Sequence, residues 1–154
     1  MTDCPLCRDD GGLLLWRGEG WRVVRALGAE VAAAPAWYRV IAAAHVAEWS
    51  DLPPAGQARA MTLVTAVERA LRATLAPTKV NLASLGNVVP HLHWHVIARF
   101  DWDSRFPAPV WVPAQRGDDA LRLAALRERL PACDAAVVQA LDALSITPVQ
   151  ENPR

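Results

Sequence analysis

Net charge is what this chain has least of: in 154 residues, 16 basic and 16 acidic side chains cancel. A face basic enough to neutralise a run of duplex phosphates is not expected, so no nucleic acid polymer is expected as partner. A small nucleotide, which needs only a few local donors, is not excluded. Lysine is almost missing, with Lys79 alone among the basic residues, a bias that points to base composition rather than function. Cysteine is scarce. Cys4, Cys7 and Cys133 do not make the disulfide framework of a small secreted domain. No segment approaches the roughly 20 consecutive apolar residues that cross a bilayer, so no membrane partner is expected. The opening MTDCPLCRDD lacks a charged-then-apolar leader, which argues against a signal peptide and for a cytoplasmic location. Internal repeats and low-complexity tracts are also lacking.

What is present suits a globular domain. A hydrophobic fraction of 53% against 21% charged residues can build a core, and the length is that of one domain. Residues 1–154 read as a single unit, with a core over about 4–112 and a helical extension over about 118–146. Cys4 to Gly12 reads as an irregular leader. Leu13–Arg17 and Trp21–Ala26 flank Gly18-Glu19-Gly20 as a hairpin, and Tyr38–Ala43 is a third strand. Asp51 is a candidate N-cap ahead of Pro53 and Pro54. Met61, Val64, Val67, Leu71 and Leu75 then recur at helical spacing, until Pro77 stops the helix. Thr78–Leu85 and His91–Phe100 are the last two strands, joined across Gly86-Asn87. Residues 101–117 read as an ordered loop. Two short helices, Asp118–Arg129 and Asp134–Leu144, are expected on either side of Pro131, with a frayed tail from Pro148. Five strands with one long helix between the third and fourth is an α+β order.

Three of the four histidines alternate in His91-Leu92-His93-Trp94-His95-Val96-Ile97. In a strand, alternate side chains share a face, so the imidazoles would form a row spanning roughly 13 Å. Leu92, Trp94 and Val96 would anchor the opposite face. Three titratable rings side by side offer no packing advantage. Imidazole, however, is both a nucleophile and a proton carrier near neutral pH. The row suits phosphoryl or nucleotidyl transfer through a phospho-histidine intermediate, with His93 attacking and His91 and His95 as its catalytic neighbours. A zinc hydrolase with catalytic histidine ligands fits less well, because no Asp or Glu lies between Asn81 and Phe100.

Other residues admit two readings each. Cys4-x-x-Cys7 is half of a zinc site by spacing, or a pair of reduced thiols in the leader. Arg39 and Arg99 could meet phosphate, although a solvated arginine is the commoner case; Arg99 lies four residues past His95, on the same strand face. Leu15, Trp16 and Trp21 are candidates for a base pocket, against the commoner role of aromatics in a core. Glu30 and Asp51 are candidates for ribose hydroxyls, with capping the better reading for Asp51. Cys133 reads as a buried small apolar residue.

The run His91-Leu92-His93-Trp94-His95-Val96-Ile97 resembles the signature of the histidine triad (HIT) superfamily. Residues Asn81 to Asn87, Val40 to His45 and Cys4-Pro5-Leu6-Cys7 resemble the family's preceding segments in the same order, so the likeness covers about residues 4–100. The resemblance implies a five-stranded antiparallel sheet with one long helix, usually a homodimer whose sheets join. It implies His93 as nucleophile, His95 on the scissile oxygen, His91 orienting the others, and Asn81, Gly86, Asn87 and Arg99 around the nucleotide. It implies no cofactor for catalysis and a structural zinc held by Cys4, Cys7, His45 and His91. Two departures stand out. Val88 occupies a position where many members carry Ser or Thr. Trp37 or Tyr38 stands where the phosphoramidase branch has an extra His. The Trp-His-Val-Ile run and the segment Phe106 to Trp111 look more like bacterial members acting on diadenosine polyphosphates. The alternative is a module on the same fold that binds or senses nucleotides without turnover.

Overall fold

A computed structural model describes residues 3–146. Its centre is a five-stranded antiparallel sheet built from β1 (Leu13–Gly18), β2 (Trp21–Arg25), β3 (Trp37–Ala42), β4 (Lys79–Ala83) and β5 (His93–Arg99), in the order β1-β2-β3-β5-β4. The expected hairpin is there, with Glu19 and Gly20 at its turn in positive φ. The leader is less irregular than expected, since Pro5–Arg8 forms one turn of helix, α1.

Helix α2 (Pro54–Leu75) lies on one face of the sheet. Pro54 opens it, where a missing N–H costs nothing. Its N-cap is Pro53, and Asp51 sits exposed in a preceding 3-10 turn, which corrects the capping expectation. Ala60, Leu63, Val64, Val67, Ala70, Leu71 and Leu75 form the buried stripe, and Ala76 closes the helix in the left-handed region.

Two short helices were expected around Pro131; a single helix, α3 (Ala120–Ile146), is observed with Pro131 inside it. Proline removes one helical hydrogen bond and crowds the carbonyl four residues back. Here packing prevails. Leu123, Leu126, Leu130, Cys133, Val137 and Leu141 keep an unbroken buried stripe across the proline, and all but Leu123 belong to the core cluster shared with α2. Polar anchors add to this. Asp134 accepts from Arg25 Nε (3.0 and 3.1 Å) and from the Tyr38 hydroxyl (2.7 Å), and Asp142 accepts from Trp16 Nε1 (3.1 Å). Burial and these neighbours push the Tyr38 hydroxyl far above its ordinary value, so it stays a donor. The tail from Pro148 lies outside the described residues. Among those described, no helix is long and apolar enough to cross a membrane.

The two sheet faces differ. Val23, Tyr38, Val40, Trp94, Val96 and Ala98 meet the helices. The other face carries Val24, Trp37, Arg39, Ile41, His93, His95 and Ile97, partly covered by the leader and by residues 26–34 and Val110. Trp16 and Trp21 are buried in the helix-side core, so the alternative of a base pocket there is set aside.

Asp134→Ala should cost about 3 kcal/mol, because it strands a largely buried guanidinium and a buried hydroxyl together. Tyr38→Phe should cost only about 1 kcal/mol. Urea denaturation of the two variants measures the difference.

Candidate active site

The register of β3 on β5 sets Arg39 opposite His95 and Ile41 opposite His93. Both histidines face a cleft of about 810 Å³ whose other walls include Leu6 and Gly11 of the leader, Leu85 to Val89, Arg39 and Trp111. The strand begins at His93, not at His91 as expected, and His91 sits in a bend just before it. His91 is fully buried and does not line the cleft.

Hydrogen-bond partners that can only donate or only accept identify the proton on each ring. His93 Nδ1 lies 2.6 Å from the His91 carbonyl, which can only accept, so Nδ1 carries the proton and Nε2 keeps its lone pair. His95 Nδ1 lies 2.8 Å from the Trp37 indole nitrogen, which can only donate, so Nδ1 accepts and the neutral ring carries its proton on Nε2. His91 Nε2 donates to the Ala42 carbonyl (2.7 Å), leaving the Nδ1 lone pair aimed at the cysteines. The cleft therefore presents one nucleophilic nitrogen and, beside it, one donor. The His93 and His95 rings meet edge to face with centroids 4.7 Å apart, and Trp37 and Trp111 flank His95 at 5.4 and 5.6 Å.

Burial disfavours the charged form of all three rings. It lowers His91, and it lowers His93 with Arg39 and His91 adding to the effect. His95 is brought down to about 3, first by burial, then by His93 and Arg39. Neutral imidazole is the form that attacks.

Cys4, Cys7, His45 and His91 bring one ligating atom each to within 4.8 Å of one another. Cys4 Sγ stands 3.4 Å from His91 Nδ1, and Cys7 Sγ stands 3.3 and 3.5 Å from the Nδ1 atoms of His45 and His91. Edges of that length surround a tetrahedral ion with bonds of roughly 2.0–2.3 Å, so the two sulfurs and two nitrogens fit zinc. The leader that supplies the cysteines is held by Arg22, which donates to the carbonyls of Leu6, Asp9 and Asp10.

Of the expected nucleotide contacts, Gly86 and Asn87 line the cleft. Arg99 and Asn81 do not, and for Arg99 this is a correction. Arg99 is 1% exposed; it pairs with Asp103 (2.7 and 3.0 Å) and donates to Ala108 O and Asn81 Oδ1. Its guanidinium ties residues 103–108 to the sheet, with four of its five N–H groups engaged there and the residue outside the cleft lining. Asn81 has its amide oxygen on that same arginine. Val88 is 92% exposed at the rim. Arg39, weighed in the sequence as a phosphate contact against the commoner solvated case, lines the cleft, and so does Trp111, for which no site role was expected. Alternation within Trp37-Tyr38-Arg39 was the available signal for the first. Glu30 also lines the cleft, ion-paired to Arg39 at 2.8 Å.

The HIT domain family model matches residues 23–102. A histidine triad protein from Bradyrhizobium japonicum is 30% identical, with a TM-score of 0.62 over 80% of this chain and 90% of that one. A histidine triad (HIT) protein from Sinorhizobium meliloti is 24% identical, with a TM-score of 0.67 over 91% and 98%. A zinc-bound histidine triad family protein from Mycobacterium smegmatis is 20% identical, with a TM-score of 0.55 over 88% and 98%. No curated protein matches the sequence.

His95 has a pH signature. Its ordinary value of 6.5 applies unfolded and about 3 applies folded, so between them the unfolded chain binds a proton that the folded chain refuses. The contribution is complete above pH 6.5 and is lost as pH falls towards 3. Over that window the wild type should lose up to about 1.4 kcal/mol per pH unit more than His95→Gln. Denaturation curves from pH 7 downwards test this, and parallel slopes would mean that His95 is not held neutral.

Proposed function

This chain belongs to the HIT domain family, one of nucleotide-binding hydrolases and transferases, and on that premise we propose that it cleaves nucleotide conjugates at the α-phosphate through a nucleotidyl-histidine intermediate. The observation that carries the reading is the pair of opposed tautomers, with a lone pair on His93 Nε2 and a proton on His95 Nε2 in one cleft. His93 Nε2 attacks phosphorus, and the bond to the bridging oxygen breaks with its electron pair leaving on that oxygen. His95 Nε2–H hydrogen-bonds the departing oxygen. Water then attacks phosphorus, the phosphorus–nitrogen bond breaks with its electron pair returning to His93 Nε2, and the nucleoside monophosphate leaves as the water's proton passes to solvent. His91 acts as a positioning residue, because its carbonyl fixes the His93 proton and ring. Gly86, with positive φ, and Asn87 shape the loop beside the phosphate position.

The substrates we favour are dinucleoside polyphosphates. Trp37 supports this choice, since an indole N–H fills a place where the phosphoramidase branch has another imidazole. The exposed edge of β4, with Leu82 43% exposed on it and Leu85 just beyond, suits pairing with a second copy across the two sheets. Three free cysteines suit a reducing, cytoplasmic setting. We assign a structural zinc to Cys4, Cys7, His45 and His91. It would clamp the leader onto the sheet and leave the catalytic step to His93 and His95.

His93→Ala should lower turnover by more than about 1,000-fold while nucleotide affinity changes little. Acid-quenched wild type given labelled substrate should yield a labelled protein, and the variant should not. A wild type that binds nucleotides, turns over none of several conjugates and traps no label would be a binding module instead. For the metal, elemental analysis should find about one zinc per chain, and Cys7→Ser should reduce both zinc content and Tm. Chelation that abolished nucleotidyl-enzyme formation in a still-folded protein would overturn the purely structural role.

A further inference from the structure

We infer that a side cavity next to His95 is the leaving-group site and that it receives an anionic group, the second phosphate of a phosphoanhydride, on Arg39 and Arg105. The inference rests on the reading of His93 as nucleophile. The cavity measures about 250 Å³ and shares Glu30, Arg39, His95 and Trp111 with the main cleft, so the two spaces adjoin at His95. His93 borders only the main cleft, and Arg105 only the side cavity. An in-line displacement sends the departing group away from the nucleophile. Beyond His95, the ring that faces the departing oxygen, the next space is this cavity.

Its charge selects the occupant. Arg39 donates from Nη1 to Gly11 O (3.2 Å) and from Nη2 to Glu30 (2.8 Å), while its buried Nε has no hydrogen-bond partner. Arg105 spends Nε on the Val112 carbonyl (2.9 Å) and makes no ion pair among the described residues. The cavity lining therefore carries two arginines against one carboxylate, Glu30. That carboxylate is the replaceable partner, because the Glu30 side chain is 64% exposed and that of Arg39 only 18%. Phosphate oxygens match a guanidinium fork and can take the place of Glu30. An uncharged amine cannot. Trp37 and Trp111, in edge contact with each other, wall the cavity on its aromatic side. The phosphate departs with the electron pair of the broken bond as an anion, so a neutral donor at His95 suffices and no stronger acid is required.

The test uses the full chain and two substrates sharing one nucleoside monophosphoryl group: a dinucleoside tetraphosphate and a nucleoside phosphoramidate of an uncharged amine. Arg39→Gln and Arg105→Gln should each reduce the ratio of kcat/KM, anhydride over amidate, by roughly 10–100-fold. Arg105→Lys should recover part of the ratio. Inorganic tripolyphosphate should inhibit wild type competitively and Arg105→Gln at least about 10-fold more weakly, a readout that survives if Arg39→Gln fails to fold. If wild type cleaves both substrates and neither the ratio nor the inhibition responds to the Arg105 variants, this inference fails and the His93 mechanism stands. If wild type cleaves neither and traps no nucleotidyl-protein, the reading of the site fails and takes the cavity assignment with it.

Discussion

The pairing of β3 with β5 is the constraint on which the site depends. It sets Arg39 directly across from His95 and Trp37 one diagonal step away, close enough for the indole to reach an imidazole nitrogen. A slip of one residue would turn every side chain of β3 to the opposite face, sending Tyr38 and Val40 into the cleft and Arg39 into the apolar core. Burial of Tyr38, Val40, Val96 and Ala98 under the helices forbids that slip. The hydrophobic side of the sheet thus determines the chemistry of its polar side.

Given that register, three hydrogen bonds distribute three protons. A main-chain carbonyl, an indole N–H and a second carbonyl have one role each, so the tautomers follow from the backbone and one tryptophan rather than from solvent pH. Burial works in the same direction by removing the doubly protonated state. Three identical side chains within five residues acquire three different settings: a ring turned to a sulfur pair, a ring with a free Nε2 lone pair and a ring with its proton on Nε2.

Much of this was legible in the sequence because it is local. Alternation of histidine with Leu92, Trp94 and Val96 gave the two faces of β5, and the stripe from Met61 to Leu75 gave α2. What could not be read depends on distant packing. Pro131 looked like a break, yet a buried stripe that continues on both sides carries α3 through it. Arg99 follows the triad face by spacing, but Asp103 is close enough in sequence to capture it once residues 100–103 turn back. For Arg39 the solvated case looked commoner than a phosphate contact, because its closeness to His95 exists only after β3 and β5, distant in sequence, are paired.

The leader is the part of the cleft wall that arrives from farthest away. Cys4 meets His91 across 87 positions, and Leu6 and Gly11 farther along the leader form one bank of the cleft. Closing a loop of that length costs only slightly more entropy than closing one half as long, so a few contacts can hold it shut. The depth of the cleft over His93 and His95 is therefore a joint product of the first dozen residues and of two later segments, Leu85 to Val89 and Trp111, while the sheet supplies only its floor.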